Sequence, residues 1–124
     1  MSQKIKITAG DVEVGAELND SDTAKMVIAA LPIRARGNRW GEEIYFAIPV
    51  KTGLEAGGRD VLEKGELGYW PAGKAFCMFF GPTPASKGDE IRAASAVNII
   101  GTMDGDLSGL SGVASGAEVS IEKA

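Results

Sequence analysis

Ala75-Phe76-Cys77-Met78-Phe79-Phe80 is apolar at every position, and few architectures can house such a run. Successive side chains of a strand point to opposite faces, so Phe76, Met78 and Phe80 share one face and Ala75, Cys77 and Phe79 share the other. Neither face suits water. One face therefore belongs to a core, and the other is covered or walls a groove. All eight aromatic residues lie between Trp40 and Phe80, and five of them fall between Gly68 and Phe80. That cluster runs straight into Gly81-Pro82-Thr83-Pro84-Ala85-Ser86, where two prolines stiffen a polar edge beside an aromatic wall.

The remaining apolar runs are short and punctuated by many of the 17 glycines, a pattern that favours strands joined by tight turns. Lys4 to Ile7 alternates with period two, and the alternation resumes after Ala9-Gly10-Asp11 as Val12, Val14, Ala16 and Leu18, which reads as a hairpin with one wet face. Asp20-Ser21-Asp22 offers a helix N-cap, and Ala24 to Leu31 reads as the one substantial helix, stopped by Pro32. Ile33 to Trp40 suits a solvated strand or extended loop. Glu42 to Val50 is a strand with Ile44, Phe46 and Ile48 on one face and Glu43 and Tyr45 on the other.

Lys51 to Arg59 reads as a flexible connector, with Val61-Leu62 pairing before a turn at Gly65. Leu67 to Trp70 and Ala75 to Phe80 form a hairpin-like pair across Pro71-Ala72-Gly73-Lys74. Ala96 to Met103 is a further strand, with Val97, Ile99 and Gly101 on one face and Asn98 and Ile100 on the other. Asp104 to Gly116 is rich in glycine and serine with room for a helical turn, and Glu118 to Ile121 is a final strand. The expected fold is all-β: residues 1–124 form one domain, a closed or nearly closed barrel of about eight strands with one helix, because closure removes exposed sheet edges.

Composition narrows the function. A hydrophobic fraction of 44% with 24% charged residues is ordinary for a globular domain. The net charge of -4, with Arg34, Arg36 and Arg39 as the sole dense basic stretch, argues against nucleic acid as a partner. No leader-like segment opens the chain and no apolar run approaches the roughly 18 residues of a membrane helix, so cytoplasmic residence without membrane contact is expected. One cysteine excludes an internal disulfide. The absence of histidine removes the commonest general base, the Ser/His and Cys/His dyads and most metal sites, and leaves Cys77 without an activator.

Asp104-Gly105-Asp106-Leu107-Ser108-Gly109 imitates the start of a calcium loop, yet the twelfth position is Ser115 where the bidentate glutamate belongs. Gly109, Gly112 and Gly116 lack the spacing of a nucleotide fingerprint. No metal and no cofactor is expected. Glu42 and Glu43 face opposite ways on a strand and cannot act as a paired acid and base. Glu43 has two readings beside Tyr45 and Trp40: it orients a ligand donor, or it accepts a structural hydrogen bond from a backbone or arginine donor. Trp70 and Phe80 are either core or the lining of a groove, for which the hydroxyls of Thr83 and Ser86 would form a polar rim.

Four motifs carry a family resemblance: Trp40-Gly41-Glu42-Glu43-Ile44-Tyr45-Phe46; Gly68-Tyr69-Trp70-Pro71 with Gly73, Ala75 and Cys77; Phe79-Phe80-Gly81-Pro82-Thr83-Pro84-Ala85-Ser86; and Ser95-Ala96-Val97-Asn98. In order and interval they resemble the small prokaryotic cyclophilin-like family of unassigned function, over nearly the whole chain. The resemblance implies an eight-stranded barrel with a helix packed at one end. Authentic cyclophilins catalyse prolyl cis/trans isomerisation with an arginine and an apolar proline pocket, but their phenylalanine-histidine-arginine and glutamine-glycine-glycine-aspartate segments do not occur here.

Three functional expectations follow. The first is a barrel without demonstrable catalysis that binds a small molecule or peptide in a groove edged by Trp40, Glu43, Tyr45, Trp70, Phe80, Thr83 and Ser86. The second is a peptidyl-prolyl isomerase using Arg36 or Arg34. The third makes the doubly apolar strand a contact between copies in a homo-oligomer. Arg92 is either an anion anchor or one half of a surface ion pair.

Overall fold

The computed structural model describes residues 2–124. Ten strands and one helix follow in the order β1 (Gln3–Ala9), β2 (Val12–Leu18), α1 (Asp22–Ala30), β3 (Ile33–Arg36), β4 (Asn38–Arg39), β5 (Glu43–Ala47), β6 (Arg59–Leu62), β7 (Glu66–Trp70), β8 (Ala75–Phe79), β9 (Ile91–Met103) and β10 (Glu118–Lys123). Short 3-10 turns occupy Pro71–Gly73 and Ser108–Gly112.

The alternation of the N-terminal segment becomes the β1–β2 hairpin, with Ala9 opposite Val12 and Gly10 at φ 58°, a left-handed turn position that glycine occupies without steric cost. Ser21 caps α1 by accepting from the Ala24 backbone N–H at 3.2 Å. The helix buries Thr23, Ala24 and Val27 against the sheet.

The strands pair antiparallel along the path β3-β10-β1-β2-β9-β7-β8-β5-β4, with β6 added beside β9. The expectation of a closed or nearly closed barrel of about eight strands holds as a mostly antiparallel sheet with one helix, but the strand count needs correcting and hydrogen bonds do not close the sheet. Among the described residues there are ten strands, and the hydrogen-bonded path ends at β3 and β4 without joining them. Those two ends are consecutive in the chain, separated by Gly37. There the backbone leaves β10 and passes to β5, with Gly37 donating to the Ala117 carbonyl and accepting from the Gly116 N–H, each at 2.8 Å.

The two faces of β8 serve two apolar clusters. Phe76, Met78 and Phe80 join the larger one with Ile7, Leu18 and Ile100, and Phe46 stacks on Phe76 at 5.3 Å between ring centroids. Tyr69 is fully buried there because its hydroxyl donates to the Val50 carbonyl at 2.6 Å. Ala75, Cys77 and Phe79 form the smaller cluster with Leu62, Ile91 and Val97. What covers this second face is the first half of β9, which pairs with β6, whereas the second half pairs with β7 and β2. β9 thus crosses from an outer layer into the main sheet, and a cavity opens beside the crossing.

Candidate ligand cavity

Two walls of this cavity come from strands whose parity the sequence dictates. Glu43 and Tyr45 project from β5 on the face opposite Ile44 and Phe46, and Cys77 projects from β8 on the face opposite Phe76 and Met78. The antiparallel register sets Tyr45 opposite Cys77. Trp70 closes one end from the last position of β7, and Ala93, Ala94 and Val97 contribute the β9 side. Gly68 lets β9 approach this closely: a Cβ there would lie 2.7 Å from Cγ2 of Val97.

Trp40 reaches the cavity from the turn between β4 and β5. Its backbone N–H donates to the Glu43 carbonyl at 3.0 Å, and Gly41 takes φ 61° where a Cβ would come within 2.9 Å of Thr83 and Pro84. The 81–86 loop is the buttress for this turn. Glu42 N–H donates to the Pro82 carbonyl and Phe80 N–H to the Glu42 carbonyl, at 2.9 and 3.0 Å. The Thr83 hydroxyl donates to the Arg92 carbonyl, while the Ser86 hydroxyl accepts from the N–H groups of Thr83 and Arg92 at 2.9 and 3.2 Å. The loop is thereby pinned to the start of β9, next to the residues that line the cavity.

Of the expected groove residues, Trp40, Glu43, Tyr45 and Trp70 are brought together around this single space, whereas Phe80, Thr83 and Ser86 do not line it. Phe80 packs in the larger cluster with the Arg39 guanidinium 5.3 Å from its ring centroid, and the two hydroxyls are engaged in the loop pins described above. Arg34 and Arg36 are exposed on β3 at the far end of the sheet path, and Arg36 donates to the Gly116 carbonyl at 3.0 Å. Arg92 sits in ion pairs with Glu90 and Asp60, at 2.7 and 2.9 Å. Asp106, in the stretch that imitates a calcium loop, accepts from the Ser108 N–H at 3.0 Å.

Cys77, Ala93, Ala94 and Val97 are lining residues that the sequence reading did not select. Parity placed Cys77 on the correct face, and only the β5–β8 register carries it to Tyr45.

The cavity measures about 220 Å³. Drug-sized sites run to roughly 300–1,000 Å³, so this space suits a small molecule or the end group of a larger one. Glu43 is the one acidic residue in its lining, and no arginine or lysine lines it. The residue is 5% exposed, and among the described residues no ion pair or backbone donor answers its carboxylate. Removal from water pushes its pKa from 4.5 up to about 7, and the Cys77 thiol beside it, which also reaches the Ala75 carbonyl at 3.8 Å, pulls only partly against that. The thiol is held well above its usual range by burial and then by the neighbouring Glu43 charge, and so stays protonated as a donor. The indole N–H of Trp70 is taken by the Ser95 hydroxyl at 2.6 Å.

Such an arrangement can accept a hydrogen bond from a bound group or face its positive charge. It has no activated nucleophile, since the cysteine is protonated and the chain has no histidine to deprotonate it.

Among the described residues no helix is long and apolar enough to cross a membrane. No curated protein matches the chain. The solution structure of the hypothetical protein AF2241 from Archaeoglobus fulgidus is 42% identical, with 99% of this chain and 95% of that one covered at a TM-score of 0.85. The model of the family described as cyclophilin-like matches residues 3–122, from the first strand to the last. The match thus takes in every wall of the cavity along with the sheet that builds it, and the chain belongs to the cyclophilin-like family.

Proposed function

We propose that this cyclophilin-like protein binds a small molecule, or the end group of a peptide side chain, in the cavity between Trp40 and Trp70, and does so without catalysis. One observation carries the reading: Glu43 stands buried in an aromatic and apolar lining with no protein cation to balance it. A buried carboxylate left with a thiol as its partner costs stability at neutral pH, and such costs concentrate where a ligand later supplies the missing interaction. Aromatic faces supply apolar contact area, and Glu43 supplies direction. The near-closed barrel belongs to the same reading, because a curled sheet brings its two ends together on either side of Gly37. Prolyl isomerisation has less support, since neither Arg34 nor Arg36 borders the cavity.

Both tryptophans of the chain line this space, so their emission is a direct reporter. Titration with a panel of small neutral, anionic and cationic compounds is expected to yield a saturable emission change that Trp70→Leu weakens. A protease-coupled assay on proline peptides is expected to stay at the spontaneous rate. A panel without a saturable response, or isomerase turnover abolished by Arg36→Ala, would overturn the reading.

A further inference from the structure

The lining of the cavity also constrains the charge and substitution of what enters it. Three aromatic side chains, Trp40, Tyr45 and Trp70, stand around one acid, Glu43. Aromatic faces carry the negative side of the ring quadrupole and attract cations, most strongly when water is excluded. An anionic ligand would meet this lining and the carboxylate with no compensating base. The arginines that border the region are already committed. Arg39 donates to the carbonyls of Gly41, Ser111 and Val113 at 2.6 to 3.1 Å, and Arg92 is held by Glu90 and Asp60. The site is therefore short of one positive charge.

The kind of cation follows from counting acceptors. A primary ammonium brings three N–H donors, each of which needs an acceptor once it leaves water. The lining side chains offer the Glu43 carboxylate and the Tyr45 hydroxyl; the remainder are indole, thiol, alanine and valine. An alkylated ammonium carries its charge on methyl groups, leaves few or no donors unanswered, and gives apolar surface to the rings. We infer that the cavity receives a tertiary or quaternary alkylammonium group, with Glu43 as its counter-charge and Trp40, Tyr45 and Trp70 as its aromatic walls. This inference rests on the binding reading above and goes beyond it in naming the ligand class. The group can belong to a free small molecule or to the tip of a methylated lysine.

Binding of a permanent cation draws on the ionised form of Glu43. The titratable groups facing that carboxylate are Cys77 on β8 and Tyr45 on its own strand; β7 presents Trp70, β9 presents Ala93, Ala94 and Val97, and the preceding turn presents Trp40. Cys77 stays protonated, so Glu43 governs the pH response, and affinity rises as pH increases from 6 to 8.

The test is a tryptophan-emission and calorimetric titration at constant ionic strength with choline, with its neutral isostere 3,3-dimethylbutan-1-ol, and with short peptides carrying trimethyllysine or unmodified lysine. Choline or the trimethyllysine peptide is expected to saturate the signal, whichever responds identifying the source of the group. The neutral isostere is expected to bind at least about tenfold more weakly than choline. Glu43→Gln should erase that preference, bringing the two within about twofold, while the variant still melts cooperatively. Trp70→Leu should weaken choline without abolishing the charge preference. A neutral isostere that matches or exceeds choline in the wild type, or neutral compounds that bind while both ammonium probes stay silent, would overturn the ammonium assignment and leave the cavity reading intact. Silence from every probe would remove both.

Discussion

Glu43 and Cys77 are diagonal neighbours on one face of the β5–β8 pair. The register sets Glu43 opposite Phe79 and Tyr45 opposite Cys77, which brings the carboxylate within reach of a thiol two positions along the facing strand. A thiol is a weak donor and carries no charge, so this acid is left short of the partner that buried carboxylates usually have. The consequences are open to measurement in the folded protein without any ligand.

The first consequence is a pH dependence of stability. Glu43 has a folded-state pKa of about 7 against an ordinary 4.5, so the folded chain holds a proton that the unfolded chain has already released across that interval. The stabilisation from that proton is fully present below pH 4.5 and is lost as pH rises through 7, to the extent of about 3 kcal/mol. Glu43→Gln keeps the shape without the charge. Urea unfolding should find it about as stable as wild type at pH 4.5 and about 3 kcal/mol more stable at pH 8. Equal stability of the two proteins at pH 8 would show that the carboxylate is solvated or paired.

The second concerns the thiol. Cys77 is 2% exposed, and burial together with the Glu43 charge holds it in the protonated form. Alkylation by iodoacetamide at pH 8 should therefore be far slower than that of the same thiol in the unfolded chain, even though the cavity admits the reagent, and should accelerate as urea raises the unfolded fraction. Mass spectrometry of timed samples reads this out. Modification within minutes under native conditions would mean an ionised thiol, which burial beside the acidic Glu43 argues against.

A third prediction separates two arginines that lie three residues apart. Arg39 bridges the turn at Gly41 to the Leu110–Val113 segment through several carbonyl acceptors and sits over Phe80, whereas Arg36 is exposed and reaches one carbonyl. Arg39→Ala should cost about 1–3 kcal/mol, since the part-buried Val113 carbonyl loses its charged donor and the Phe80 ring loses its cation. Arg36→Ala should stay within about 0.5 kcal/mol, as exposed substitutions do. Chemical denaturation of both variants compares them directly, and similar losses would contradict the bracket role of Arg39.

Much of this arrangement was legible because a strand has a period of two. The parity of Ala75–Phe80 assigned Phe76 and Met78 to one cluster and Cys77 and Phe79 to another, and the same rule set Glu43 and Tyr45 apart from Ile44 and Phe46. What parity cannot give is register and layer. Cys77 entered the cavity through its pairing with Tyr45, a long-range fact. The first half of β9 escaped notice because Arg92-Ala93-Ala94-Ser95 lacks β-branched or aromatic residues; it is extended because it pairs with β6. Phe80, Thr83 and Ser86 follow Trp70 closely in sequence, but the 81–86 loop turns its hydroxyls onto its own backbone and Arg92. Nearness in sequence therefore indicated a shared region and not a shared cavity. The strand count missed for a similar reason: Gly37 divides one extended segment between two partners.

Asn98 supplies the last prediction, because it fixes a segment that composition alone describes as loose. Its amide donates to the Thr23 hydroxyl and to the Gly53 carbonyl, each at 3.0 Å, and its carbonyl accepts from the Glu55 N–H at 2.7 Å. Glu55 in turn accepts from the Thr23 N–H at 3.2 Å, in the first turn of α1 where the helix dipole favours a negative charge. One side chain on β9 thus ties the helix start to the irregular 51–58 connector. Asn98→Leu removes all three bonds at a site 1% exposed, leaving the Glu55 N–H and the Gly53 carbonyl unanswered, and should cost about 2–4 kcal/mol. The loss should be local as well as global: hydrogen exchange at Glu55 and Thr23 should speed up well beyond what the fall in global stability explains, while β1 and β10 follow global unfolding. Asn98→Asp keeps the acceptor but sets a second carboxylate beside Glu55, so its deficit should grow as pH rises above the carboxylate range. A connector that exchanges equally slowly in wild type and Asn98→Leu would mean that the tie is dispensable.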